Sequence, residues 1–212
     1  MNISQELEQY ISDHMSPEGD ILEDLRRKTY LKTPYPNMIS GPLQGKFLEL
    51  ISKMLKPDRI LEIGTFTGYS AICLASGLAE GGRLDTIDSN DETYEMAAEY
   101  FMRAGMESRI HQIKGDALEI MKRLDKQYDL IFIDGEKREY MAYYELAIEL
   151  LRKGGIILAD NVLWGGKVVD ENEKNDPATA GILAFNKRLS NDKRVELVIL
   201  PVRDGLSLIR KI

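Results

Sequence analysis

From Arg59 to the end of the chain, short apolar runs alternate with stretches of helical periodicity, and this alternation narrows the possible folds more than any other feature of the 212 residues. The strand-like runs are 59–63, 83–88, 109–114, 128–134 and 156–160, followed by two closing runs at 195–200 and 206–211. Helical stretches fall at 69–79, 91–104, 117–124, 139–151 and 177–189. Apolar strands separated by helices predict a parallel sheet covered on both faces. The last two runs are joined only by residues 201–205, too short for a parallel crossover, so they should pair antiparallel. The expected class is α/β: a doubly wound, mostly parallel seven-stranded sheet with an antiparallel terminal strand.

Residues 1–57 read as a helical cap in front of a core at 58–212, the two forming a single domain. Ile3, Leu7, Tyr10 and Ile11 stand at helical spacing, and Ser16-Pro17-Glu18-Gly19 ends that helix. A second helix is expected from Asp20, capped there and running to residue 31. Pro34 and Pro36 then impose a loop. A third helix over 42–55 is expected to bury Phe47, Leu48, Ile51 and Leu55 on one face. With 43% hydrophobic and 30% charged residues the composition is that of an ordinary globular protein. A net charge of −7 argues against a broad nucleic-acid footprint. Cys73 is the single cysteine, in an apolar helical run, so no disulfide can form within the chain. Residues 1–13 carry charges and no apolar stretch, and no run approaches membrane-spanning length; the expected location is the cytoplasm.

Residues 59–70 form the first strand, a tight turn and a helix start, with glycines at Gly64 and Gly68. Such a junction sets backbone N–H groups and the positive end of a helix dipole beside a ligand. The dinucleotide fingerprint G-x-G-x-x-G is absent, because Phe66 stands two residues after Gly64. In doubly wound sheets ligands bind at the carboxyl ends of strands. Those ends carry Gly64, Asp88, Asp116, Asp134 and Asp160-Asn161, more acids at successive strand ends than solubility requires. Asp88, 24 residues past Gly64, suits the hydroxyls of a ribose, as found in both NAD and S-adenosylmethionine. Asp116-Ala117 opens a short helix beside which an adenine could rest, with helix capping as the competing role of Asp116. Asp134, Asp160 and Asn161 are hard oxygen donors suited to Mg²⁺ or Ca²⁺. His14 and His111 stand alone and offer no zinc cluster. Lys137, three residues past Asp134, is placed to take a proton, with its pKa expected to be lowered by a bound cation and burial.

These residues resemble the cation-dependent O-methyltransferases, the family of catechol and caffeoyl-CoA O-methyltransferases. The resemblance runs from about Tyr10 to Ile212 and is carried by Leu61-Glu62-Ile63-Gly64-Thr65-Phe66-Thr67-Gly68-Tyr69-Ser70, Phe132-Ile133-Asp134-Gly135-Glu136-Lys137, Asp160-Asn161-Val162-Leu163-Trp164 and Pro201-Val202-Arg203-Asp204-Gly205-Leu206. It implies a Rossmann-like methyltransferase fold with S-adenosylmethionine as cofactor. By the resemblance Glu62, Gly64, Thr65 and Ser70 line the methionine part, with Gly68 at the same turn. Asp88 then holds the ribose, Asp116-Ala117 meets adenine, Ser40 closes over the cofactor, and Glu136 stands where relatives carry a contacting aspartate. Asp134, Asp160 and Asn161 match the metal ligands, most naturally of Mg²⁺, and Lys137 the general base. The implied acceptor is a small phenol, usually a vicinal diol, with Trp164 as a flat wall beside it.

Gly165 follows Trp164 where plant caffeoyl-CoA enzymes carry asparagine, and the lysine that meets their CoA ester precedes anything present here, so a CoA ester is not the expected acceptor. Some bacterial relatives methylate a hydroxyuridine in tRNA, and Arg26, Arg27, Lys28 and Lys32 offer a local basic patch for that alternative. A non-catalytic NAD-binding protein is the alternative from another class. Relatives are commonly dimers, and the apolar N-terminal helices suit a homodimer interface.

Overall fold

The computed structural model describes residues 4–212. Seven strands form one sheet: β1 (Arg59–Ile63), β2 (Arg83–Asp88), β3 (Ile110–Lys114), β4 (Tyr128–Ile133), β5 (Leu151–Ala159), β6 (Val195–Leu200) and β7 (Leu206–Lys211). Their order is β3-β2-β1-β4-β5-β7-β6. The first five are parallel, whereas β7 lies antiparallel between β5 and β6, with Leu158 opposite Leu208 and Leu197 opposite Ile209. The seven-stranded doubly wound sheet, its antiparallel terminal pair and the cap helices are therefore as expected. The order of the strands is new information, and it reverses between β1 and β4, where a ligand crevice opens in such sheets.

Strand alternation explains why each run reads as continuously apolar. Ile60, Leu130, Phe132 and Leu158 point into one core, under α2 (Asp20–Lys32), α3 (Gly41–Leu55), α4 (Tyr69–Ala75) and α5 (Tyr94–Arg103). Leu61, Ile131, Ile133 and Ile157 point into the other, under α6 (Ala117–Met121), α7 (Tyr140–Leu150) and α8 (Pro177–Ser190). Both faces are buried, so no polar face survives along β1, β4 or β5. Glu62 shares the Ile60 face and is carried into the first core.

Several expected boundaries shift for physical reasons. β5 starts at Leu151, and Gly154-Gly155 form an irregularity inside it, between the pairs Tyr128–Leu151 and Leu130–Ile156. α4 stops at Ala75 because α3 crosses it closely: a Cβ on Gly77 would lie 2.3 Å from the Lys53 nitrogen. The loop 161–176 contains two short 3-10 turns. The third helix buries Gln44, Gly45, Leu48 and Ser52, while Phe47 and Ile51 are half-buried and Leu55 is exposed. Close approach decides this face, since a Cβ on Gly45 would lie 2.5 Å from Tyr69 and Ser52 Oγ donates to Leu74 O at 2.6 Å.

The first helix, α1 (Gln5–His14), is present, capped by Ser4, but Leu7 and Tyr10 face solvent; Ile3, expected within it, lies outside the described residues. Among the described residues no helix is long and apolar enough to cross a membrane.

Candidate active site

A cleft of about 890 Å³ opens at the carboxyl ends of β1 to β5, roofed by the loop 34–38 and flanked by Trp164 and Arg203. That volume is in the range of ordinary ligand pockets. Gly64, Asp88, Asp116, Ala117, Asp134, Glu136, Lys137, Asp160, Asn161 and Trp164 all line it. Ser40, Glu62, Thr65, Gly68 and Ser70 lie close to lining residues in sequence but do not line it. The sheet thus gathers residues spread over more than a hundred positions.

The β1 turn needs its glycine. Gly64 has φ 102°, and a Cβ there would lie 2.3 Å from Asp134 O, because the ends of β1 and β4 nearly touch. Phe66 follows in the left-handed region at φ 46°, and its N–H donates to Asp88 Oδ2 at 2.8 Å. The Asn90 N–H takes Oδ1, also at 2.8 Å, so Asp88 is fixed by neutral donors and keeps lone pairs for hydroxyls. Thr65 Oγ1 lies 2.6 Å from Thr86 Oγ1, which donates to Glu62 Oε2. Among the described residues the other Glu62 oxygen, Oε1, is buried without a donor. Burial pushes the Glu62 carboxyl up to about 8; the Ser70 and Thr86 hydroxyls oppose the shift, and Asp134 and Asp88 add to it. Glu62 thus sits buried two residues before Gly64, one of its oxygens held by the Thr86 hydroxyl and the other without a geometric partner among the described residues.

Asp116 caps α6 by accepting the Glu119 N–H at 2.9 Å, so its capping role is real, and it lines the cleft as well. Glu136 likewise accepts from the Arg138 backbone and pairs with the Arg138 guanidinium at 3.0 Å. His14 and His111 have local partners, Tyr10 O and Asp85.

Asp134 ends β4 and Asp160 ends β5, on neighbouring strands. Asp160 is buried, and burial followed by the Asp134 charge pushes it up to about 6, against the Gln44 amide, Lys137 and the Asn161 N–H. Asn161 adopts φ 56°, an uncommon conformation of the kind that gathers at functional sites. Among the described residues no three His, Cys, Asp or Glu side chains converge as a metal cage. The donor set is instead two carboxylates and a carboxamide, and a hard divalent cation fits it, because it would relieve the repulsion felt by Asp160.

Lys137 sits in a 3-10 turn (Lys137–Glu139), its Nζ 2.8 Å from Asp134 Oδ1 and 2.9 Å from Tyr140 Oη. Its pKa departs from the expectation. Burial favours the neutral amine, but Asp134 and Tyr140 outweigh it and hold the ammonium well above the usual lysine range. The Asp134 carboxylate must be engaged elsewhere before Lys137 can accept a proton.

Three residues given no role by the sequence complete the site: Tyr140 and Gln44, and Arg203 from the closing turn that carries the resemblance. Tyr140 is buried and donates to Asp160 O at 2.9 Å, tying α7 to the end of β5. Gln44, on α3, donates from Nε2 to Asp160 Oδ2 at 2.6 Å. Arg203, in the β6–β7 turn, donates to Ile39 O at 3.0 Å and to Ser40 O. Apolar periodicity carries no signal for any of them. That turn also braces the Trp164 loop, through Val162 N–H to Gly205 O, Leu163 N–H to Asp204 O, and Gly165 N–H to the Asp204 side chain.

The O-methyltransferase family model matches residues 11–212. This chain belongs to the O-methyltransferase family. It is 34% identical over 221 residues to the caffeoyl-CoA O-methyltransferase of Stellaria longipes, covering 99% of this chain and 91% of that one. It is 35% identical over 215 residues to the catechol O-methyltransferase of Niastella koreensis, covering 97% and 96%. Among solved structures, the O-methyltransferase of Bacillus cereus in complex with SAH superposes at TM-score 0.89, with 34% identity and 96% of each chain covered. The chain is therefore an S-adenosylmethionine-dependent O-methyltransferase of the caffeoyl-CoA and catechol type. The NAD-binding alternative falls with that assignment.

Proposed function

We propose that this O-methyltransferase moves the methyl group of S-adenosylmethionine to one hydroxyl of a small catechol-like acceptor, at a site where Asp134, Asp160 and Asn161 hold Mg²⁺. The observation that carries the proposal is the pair Asp134 and Asp160 at adjacent strand ends, with Lys137 Nζ 2.8 Å from the first and burial driving the second up to about 6. On the donor side, Gly64, Asp88 and Ala117 line the cleft, with the buried Glu62 carboxyl on β1, two residues before Gly64. Ser40, Thr65, Gly68 and Ser70 lie near lining residues in sequence without lining the cleft themselves.

A divalent cation, when bound, supplies Lewis-acid stabilisation of an acceptor oxyanion near neutral pH. Lys137 acts as the base from its neutral form: with Asp134 engaged elsewhere the ammonium releases its proton to solvent in the open cleft, and Nζ then takes the proton of the acceptor hydroxyl. Tyr140 keeps the ends of β4 and β5 in register around that proton transfer, since it bonds Ile133 O at 3.3 Å and Asp160 O at 2.9 Å. Trp164, which lines the cleft, offers a flat wall to the acceptor ring. Much of the rate comes from holding nucleophile and methyl group close and collinear.

The small acceptor is preferred over a CoA ester because Gly165, with φ 61°, offers no side chain where plant enzymes carry asparagine. It is preferred over tRNA because half of the basic patch is neutralised: Arg26 pairs with Glu18 and Lys28 with Glu99, both at 2.7 Å. Exposed Leu7, Tyr10, Tyr30 and Leu31 on α1 and α2 support a homodimer. The buried, unpaired Cys73 suits a reducing compartment such as the cytoplasm. The test is methyl transfer to a panel of catechols with and without EDTA. Activity on a catechol that EDTA abolishes and Mg²⁺ restores is expected. Activity untouched by EDTA, or retained in Asp160→Ala, would remove the cation from the proposal; label entering bulk tRNA and no phenol would replace the acceptor.

A further inference from the structure

Gln44 is buried in the first turns of α3, far from β5 in sequence, yet its side chain ends on Asp160. A buried amide is costly unless both of its ends are bonded. Here both are: Nε2 donates to Asp160 Oδ2 at 2.6 Å, and Oε1 accepts from Arg203 Nη1 at 3.3 Å. A guanidinium only donates, so Arg203 fixes which end of the amide faces the carboxylate. The same Nη1 reaches the Ile39 and Ser40 carbonyls, where the chain enters α3, and so sets the height of that helix over the cleft.

Asp160 is held differently from Asp134. Its Oδ1 takes the Asn161 N–H at 2.8 Å and its Oδ2 takes Gln44, both neutral donors. Asp134 Oδ1, in contrast, faces the Lys137 ammonium at 2.8 Å. Neutral donors aim a carboxylate without cancelling its charge and leave further lone pairs on each oxygen. We infer that Gln44 is the positioning residue of Asp160 for the cation, with Arg203 setting the polarity of its amide, so that cap helix α3 and the β6–β7 turn both belong to the candidate metal centre. This rests on the cation reading above.

Mn²⁺ serves as the probe, with free ion followed by electron paramagnetic resonance and S-adenosylhomocysteine affinity followed by calorimetry on the same samples. Wild type should bind Mn²⁺, and Gln44→Met should weaken that binding by about 10- to 100-fold, with S-adenosylhomocysteine affinity within about twofold. Arg203→Met should weaken Mn²⁺ in the same direction, and the double variant should lose little more than Gln44→Met alone, because the two act through one amide. Mn²⁺ affinity unchanged in Gln44→Met, equal losses of both ligands, or additive losses in the double variant would overturn the inference. Wild type failing to bind Mn²⁺ would instead overturn the cation reading itself. Should Gln44→Met not fold, Gln44→Asn, one methylene shorter, takes its place with the same outcomes.

Discussion

Glu62 shows at a single residue what the site costs the fold. Its carboxyl is pushed up to about 8 in the folded chain from an ordinary value of 4.5, so between those values the folded state keeps a proton that the unfolded state has lost. Stability of the ligand-free protein should therefore fall as pH rises through that window, by on the order of a few kcal/mol at most. Asp160 acts in the same sense only up to about 6, so the slope from pH 6 to 8 belongs to Glu62. Glu62→Gln should flatten that slope in thermal denaturation, raise ligand-free stability at pH 8 and weaken S-adenosylmethionine at least about 10-fold; an unchanged slope would refute the assignment. For Lys137 the expected result of Lys137→Met is a fall of roughly 10²- to 10⁴-fold in kcat with cofactor affinity kept, read from steady-state kinetics and calorimetry. A fall in KM alone would speak against a proton-accepting role.

Among the elements, α8 supports the 3-10 turn of Lys137 by close approach. A Cβ on Gly181 would lie 2.5 Å from Lys137 O and 3.0 Å from Arg138 Cα. In an isolated helix Gly→Ala gains about 1 kcal/mol. Here we expect Gly181→Ala to lose about 1–3 kcal/mol in urea denaturation, because backbone has no room to yield, and to lower kcat by displacing Lys137. A more stable and fully active variant would show that the turn is free to move. Most elements were legible in the sequence for the same kind of local reason: β1, β2, β6 and β7 have the expected ends, since turn residues and apolar runs mark them directly. The buried face of α3 was legible only in part: Leu48 is buried and Phe47 and Ile51 pack against the core, but Gly45 and Ser52 are buried by the approach of α4 rather than by their own hydrophobicity.

For the whole molecule the open surface lies on the cap. Except for Ile11, the described side chains of α1 are exposed, Leu7 and Tyr10 included. If a second copy covers them, Leu7→Glu with Tyr10→Glu should shift the mass seen by light scattering from dimer to monomer and leave thermal stability of the single chain within a few degrees. A monomeric wild type would remove the homodimer.

The sequence by itself determined the strand and helix run, the acids at strand ends and the family motifs, because these depend on neighbours along the chain and on side-chain chemistry. Only the tertiary structure decided that β7 inserts between β5 and β6, that Glu62 is fully buried and off the cleft lining, and that Lys137 is held as an ammonium. It also decided that Gln44 and Tyr140 meet on Asp160, with Arg203 holding the far end of the Gln44 amide. Burial and charge proximity between distant segments set those facts, and neither exists until the sheet has closed its layers around the cleft.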